Sequence, residues 1–95
     1  MTVPLLDEAA IAGRLRELPG WTREGVAIAR LVRLKGFARP LLLANAVGHL
    51  AEAANHHPDL AVSYGSLRIR LTTHDAGGLT DRDFTLAARI EALLD

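Results

Sequence analysis

The chain of 95 residues carries 11 basic and 11 acidic side chains, four histidines and no cysteine, with 49% hydrophobic and 23% charged residues. This is the composition of one small globular domain, read as residues 1–95, and not of a disordered segment. Balanced charge gives no electrostatic footing on nucleic acid or an anionic membrane, and the lack of cysteine excludes a disulfide framework, a thiol nucleophile and a zinc finger.

The opening MTVPLLDEAA lacks the basic and apolar regions of a signal peptide, and the longest apolar run is far too short to cross a bilayer. A cytoplasmic protein is therefore the expectation, and so much apolar content in so small a chain favours an oligomer. The first element reads as a helix. Asp7 is a candidate N-cap, Ile11, Leu15 and Leu18 follow at helical spacing, and Leu6 with Ile11 has the spacing of a hydrophobic staple. Pro19-Gly20 ends it. Trp21 to Arg23 and Ala27 to Leu34 read as extended stretches about a hairpin turn at Glu24-Gly25.

A long helix follows from Ala38 to Asn55, with Pro40 in its first turn, where the missing N–H costs nothing. Phe37, Leu41, Ala44, Val47, Ala51 and Ala54 form the expected core-facing stripe. Pro58 disfavours helical geometry at its predecessor, so the helix stops near His56. Residues 59–64 and 67–73 flank Gly65-Ser66 as a second hairpin, and Leu67, Ile69, Leu71 and Thr73 alternate with Arg68, Arg70 and Thr72. The last helix has Thr80 as N-cap, Asp83 in a capping-box relation, and Leu79 stapled against Phe84. The order α-β-β-α-β-β-α implies an α+β fold, a four-stranded antiparallel sheet with its helices packed on one face. The other face and any free edge strand are left for a partner.

The stretch AEAANHHPDL, residues 51–60, holds half of the histidines. Neighbours in a continuous helix point about 100° apart. His57 precedes Pro58 and is pushed toward extended geometry, so the pair straddles a helix-to-strand corner. Such corners often carry function, although a histidine near a helix C-terminus is also favoured by the helix dipole alone. If the second hairpin pairs as expected, its outer ends bring His74 beside His56 and His57, three imidazoles on one rim. Three histidines invite zinc, with Glu52, Asp59, Asp75 and Asp83 as nearby carboxylates. Adjacent histidines are awkward ligands for one ion, and no i,i+4 histidine pair exists, so no metal is assigned. His49 shares a helix face with Glu52 and His56 and reads as a half-exposed helix residue. Glu52, one turn before His56, can orient it or stand as a surface carboxylate. Arg68 and Arg70 read as a solvated strand face.

These motifs together resemble the pterin-4a-carbinolamine dehydratase (4a-hydroxytetrahydrobiopterin dehydratase) family. The resemblance rests on Ala51-Glu52 and Asn55-His56-His57-Pro58, then Leu71 to His74, then Gly78-Leu79-Thr80 and Asp83, with Gly20-Trp21 earlier in the chain. It implies a lyase that removes water from 4a-hydroxytetrahydrobiopterin to give the quinonoid dihydropterin, in tetrahydrobiopterin recycling. Histidine suits the proton transfers near neutral pH. By the same resemblance His56, His57 and His74 are catalytic, with His56 as general acid/base. His57, His74, Glu52 and Asp83 bind substrate, though local spacing also gives Asp83 a capping role. No cofactor or metal is implied, the pterin being substrate. The implied partners are a second copy, as homodimer or homotetramer, and a functional link to an aromatic amino-acid hydroxylase, with no nucleic acid and no membrane. Asn55 and Leu60 depart from an aspartate and an aromatic residue found in some relatives. Two alternatives stay open: a non-enzymatic dimerisation or binding module, such as the animal members that stabilise a homeodomain transcription factor, or action on another pterin such as a molybdopterin-related compound.

Overall fold

The structure, a computed structural model, describes residues 3–94. Helix α1 (Glu8–Arg16) is followed by strands β1 (Trp21–Glu24) and β2 (Ala27–Arg33), helix α2 (Ala38–Ala54), strands β3 (Asp59–Ser63) and β4 (Ser66–Leu71), a short 3-10 turn (His74–Ala76) and helix α3 (Asp81–Leu94). The strands form one antiparallel sheet in the order β1-β2-β4-β3. The α-β-β-α-β-β-α architecture expected from the sequence is the one observed.

Strand alternation decides which face is covered. Leu67, Ile69 and Leu71 of β4 are fully buried beside Val32 and Ile28 of β2, while Arg68 between them is exposed. Burial of Phe84, Leu86, Ala87 and Ile90 from α3 and of Val47 and Ala51 from α2 completes one core. Arg68 bonds Glu24 and Arg70 lies 3.5 Å from Asp59, so the charged face of the sheet is laced by exposed ion pairs of small energetic weight.

The helix starts follow their local chemistry. Asp7 caps α1 by accepting the Ala10 amide at 2.8 Å. At α3, the Thr80 amide donates to Asp83 Oδ2 at 3.0 Å while Thr80 Oγ1 accepts from the Arg82 amide at 3.2 Å. Leu79 and Phe84 are both buried, as the staple requires. Both hairpin loops lie one residue from the expected place. Glu24 pairs Ala27, leaving Gly25-Val26 as the loop, and Ser63 pairs Ser66, leaving Tyr64-Gly65. In each loop the glycine takes the positive φ, 62° at Gly25 and 84° at Gly65, so the glycine fixes the register of the turn.

The α2 stripe needs a larger correction. Pro40, Ala44, Val47 and Ala51 are its buried residues, whereas Phe37, Leu41 and Ala54 are exposed. The inward line runs through Pro40, and Leu41 and Leu42 turn outward beside it. Apolar spacing located the helix and the middle of its buried line, Ala44, Val47 and Ala51, but not its two ends.

Away from the sheet's charged face, α3 is tied to the first hairpin by one carboxylate. Glu91 Oε1 accepts from Trp21 Nε1 at 2.8 Å and from Arg30 Nε at 2.7 Å. Gly20 lies against this guanidinium: a Cβ there would fall 2.6 Å from it. No helix among the described residues is long and apolar enough to cross a membrane. Substituting Glu91→Ala should cost about 1–3 kcal/mol in urea unfolding, because it strands two part-buried donors. Arg68→Ala, on the open face, should change stability by less than about 1 kcal/mol.

Candidate functional site

The corner that displays the histidines is made by the end of α2. Asn55 takes the left-handed conformation, φ 51° and ψ 43°. Its amide donates to Glu52 O at 3.2 Å, and the His56 amide reaches back to Ala51 O at 3.1 Å. These two bonds define a Schellman ending, with Asn55 at the position that asparagine fills most readily after glycine. The chain therefore reverses direction before Pro58 acts, and the two rings part company. His56 turns inward and is only 8% exposed, while the side chain of His57 is 56% exposed.

His56 meets a carboxylate there. Its Nε2 lies 2.6 Å from Oδ1 of Asp83, a residue with no exposed surface. Asp83 Oδ2 accepts from the Thr73 hydroxyl at 2.9 Å and from the Thr80 amide at 3.0 Å. Thr73 and Thr80 hydroxyls lie 2.7 Å apart. Proton bookkeeping orients the whole chain. An ionised carboxylate only accepts, so Thr73 donates its single proton to Asp83 and must accept from Thr80. Thr80 in turn accepts from the Arg82 amide. By the same logic His56 carries its proton on Nε2 and gives it to Asp83, which leaves Nδ1 as the nitrogen able to accept or release a proton. A second carboxylate of this kind behind a histidine fixes both tautomer and ring orientation.

His57 has a different partner. Its Nε2 lies 2.5 Å from Glu52 Oε1, both side chains being exposed. Helical spacing left Glu52 either to orient His56 across one turn or to stand as a surface carboxylate, and it contacts His57 instead. Because the backbone reverses at Asn55, His57 comes back over α2 and His56 goes under it. His74 opens the 3-10 turn after β4 and is exposed. All three histidines border one open cavity of about 260 Å³, together with Asn55, Thr72, Thr73, Asp75 and Arg82. The hairpin thus brings the three imidazoles to one rim, as its pairing implied. His49 is exposed on α2 and does not border the cavity.

Neither Asp83 nor Glu52, both expected to bind substrate, lines this cavity. Asp83 is sealed behind His56 with both oxygens engaged, so it holds the histidine and caps α3. Glu52 borders the partner of its ion pair, not the cavity. Sequence reasoning missed Thr73 and Thr80 as members of the buried network. The capping box located the Thr80–Asp83 contact, but nothing local signalled that Oδ1 would be taken up by a histidine 27 positions away. Among the described residues no group of three or more His, Cys, Asp or Glu side chains is arranged to hold a metal ion.

Asp83→Asn places an amide where Thr73 and Thr80 both donate. It should destabilise the fold by about 1–3 kcal/mol in chemical denaturation. In ¹⁵N NMR of the histidine rings, His56 of the parent protein should show the Nε2–H tautomer, and the variant should lose that bias. An unchanged His56 spectrum would show that Asp83 does not set the tautomer.

Sequence comparison matches residues 4–93 to the family model described as pterin 4 alpha carbinolamine dehydratase. A relative in Thermomicrobium roseum is 46% identical over 93% of this chain and 95% of its own, and one in Chloroflexus aurantiacus is 47% identical over 97% and 99%. Both are provisionally described as pterin-4-alpha-carbinolamine dehydratases. The crystal structure of a transcriptional coactivator/pterin dehydratase from Brucella melitensis superposes with a TM-score of 0.91 at 28% identity, covering 97% of this chain and 100% of that one. A pterin dehydratase-like protein identified as a RuBisCO assembly factor in the alpha-carboxysome shares the fold alone, with a TM-score of 0.61 at 19% identity over 77% and 84% of the two chains.

Proposed function

The chain belongs to the pterin 4 alpha carbinolamine dehydratase family, and from that premise we propose that it is a hydro-lyase converting 4a-hydroxytetrahydropterin, in the first instance the tetrahydrobiopterin form, to quinonoid dihydropterin and water. The observation that carries this reading is the rim itself. Three imidazoles border one cavity, and one of them is backed by a buried carboxylate.

In the proposed elimination the C4a hydroxyl takes a proton and departs as water with the C–O bonding pair. The adjacent ring N–H gives up its proton, and that bonding pair becomes the new C=N bond. No electrons are gained or lost overall, so the step asks only for an acid and a base. His56 is assigned as the general acid/base through Nδ1, its Nε2–H held by Asp83. The imidazolium that forms during the step lies 2.6 Å from a carboxylate, so the charge is not created in isolation. His57, oriented by Glu52, and His74 are assigned to bind and polarise the pterin and to share proton transfer. Water is the product, so an open cavity does not admit a competing hydrolysis.

The proposal includes self-association as a homodimer or homotetramer. It is supported by the outward apolar residues of α2, Leu41 at 43% and Leu42 at 63% exposure, and by β3 as an outer strand of the sheet. It also includes a cytoplasmic location and a functional link to an aromatic amino-acid hydroxylase, the class of enzyme that generates the 4a-hydroxypterin.

The test is the decay of 4a-hydroxytetrahydropterin absorbance with purified protein. His56→Ala should lower kcat at least about a hundredfold. His57→Ala and His74→Ala should raise KM more than they lower kcat, and chelator should leave the rate unchanged. Full activity of His56→Ala would remove the acid/base assignment. Loss with chelator and recovery with zinc would turn the site into a metal centre. No acceleration by the parent protein would favour a non-enzymatic binding or dimerisation module. In sedimentation, the parent should exceed the monomer mass, and Leu42→Glu should shift it toward monomer.

A further inference from the structure

A second hollow of about 360 Å³ adjoins the histidine rim, between the last turn of α2 and the outer face of α3. Ala53, Ala54 and Leu86 supply its apolar lining. Arg82, Thr85 and Arg89 line it too, from one face of α3 at spacings of three and four. His56 and Arg82 border both this hollow and the rim cavity, so the two spaces meet at the histidine assigned to proton transfer.

The charges in the hollow are unbalanced. Neither Arg82 nor Arg89 has an ion-pair partner among the described residues, although five other arginines of the chain do. The carboxylate on the lining, Asp81, is engaged by Arg14 at 2.6 Å. Two exposed guanidiniums two helical turns apart, over an apolar lining, suit a ligand with an apolar or polar stem and an anionic end.

The chemistry of a pterin says which part would lie there. The reacting carbon C4a is joined through one nitrogen to C6, the carbon that carries the substituent. A ring posed with C4a at His56 therefore sends its substituent away from a point very near His56. The adjoining hollow is the walled space at that point. A neutral dihydroxypropyl arm could accept hydrogen bonds there but would leave the charge of both arginines unmatched.

We propose that this hollow receives the C6 substituent of the pterin, and that the chain prefers a pterin whose substituent ends in an anion, a phosphate monoester or a glutamyl carboxylate. The proposal rests on the dehydratase reading above for the pose of the ring. Arg89 borders the hollow and not the rim cavity, whereas Arg82 borders both, so Arg89 is the cleaner probe.

The experiment compares three tetrahydropterins, with 6-methyl, phosphate-terminated and glutamate-terminated substituents, as 4a-hydroxy substrates. The corresponding stable 7,8-dihydropterins are measured by equilibrium binding. For the parent protein, kcat/KM and affinity should favour one or both anionic forms over 6-methyl by about tenfold, the scale of one charge-assisted hydrogen bond. That advantage should shrink with added salt. Arg89→Gln should lower the anionic-to-neutral ratio by about tenfold, and Arg89→Lys should restore part of it. Which anionic arm is favoured separates phosphate from carboxylate recognition. Equal values for all three pterins, or an anionic preference that survives Arg89→Gln, would overturn the proposal. If no pterin is turned over, the dehydratase reading fails on its own. The binding ratios then decide the hollow: an Arg89-dependent preference for the anionic ligands sustains it, and its absence ends it.

Discussion

The structure is organised about one buried carboxylate. Asp83 has no exposed surface and is enclosed by His56, Thr73 and the Thr80 amide. Removing a carboxylate from water costs several kcal/mol unless its lone pairs are met. Here they are met from three separate stretches of chain: the corner after α2, the end of β4 and the cap of α3. The cost of burial therefore acts as a constraint. Those three stretches must converge, or the charge is stranded. No buried side-chain polar atom among the described residues lacks a partner, so the convergence is complete.

Convergence at Asp83 also explains how two adjacent histidines acquire opposite environments. The Schellman ending turns the backbone over at Asn55, which drops His56 toward α3 and lifts His57 back over the exposed flank of α2. One ring is held by a buried acid and the other by an exposed one, 2.6 Å and 2.5 Å away. Exposed ion pairs of the second kind contribute little stability. The Glu52 contact is therefore better understood as an orientation of the His57 ring than as a fold-stabilising bridge. Asparagine at residue 55 adds no further carboxylate to a rim that Asp75 already borders, while fitting the left-handed backbone that the turn needs.

Much of this was legible in the sequence because it is written in short-range chemistry. Asp7 and Thr80 announce helix starts, and Phe84 pairs with Leu79 whatever lies beyond them. The alternation from Leu67 to Leu71 fixes which face of β4 is buried, and hairpin pairing then places His74 opposite the HHP corner. What was not legible depends on choices made by several elements at once. How the ends of α2 meet the rest of the fold decides that Pro40, and not Leu41, continues the inward line of Ala44, Val47 and Ala51. The hairpin loops moved by one residue because glycine, not the polar residue before or after it, takes the positive φ. Glu52 meets His57, and not the His56 that helical spacing offers it, because the helix had already ended. Spacing rules hold only while the helix persists.

A site at the end of the sheet, and not on its open face, follows from the same topology. The face carrying Arg68 and Arg70 neutralises its own charges across strands, so it presents little unspent potential. Around the rim the balance differs. His74 keeps an exposed ring, and Arg82 and Arg89 have no ion-pair partner among the described residues. In a chain whose acidic and basic residues are equal in number, unpaired cations gathered beside a held imidazole are a local surplus that the fold has not used for itself. Net neutrality conceals such a surplus, which becomes visible only when each ion pair is assigned. The proposed elimination requires little of the protein beyond a positioned acid and base. Selectivity among pterins must then come from the groups that border the ring's substituent, and in the proposed pose those are the arginines of α3.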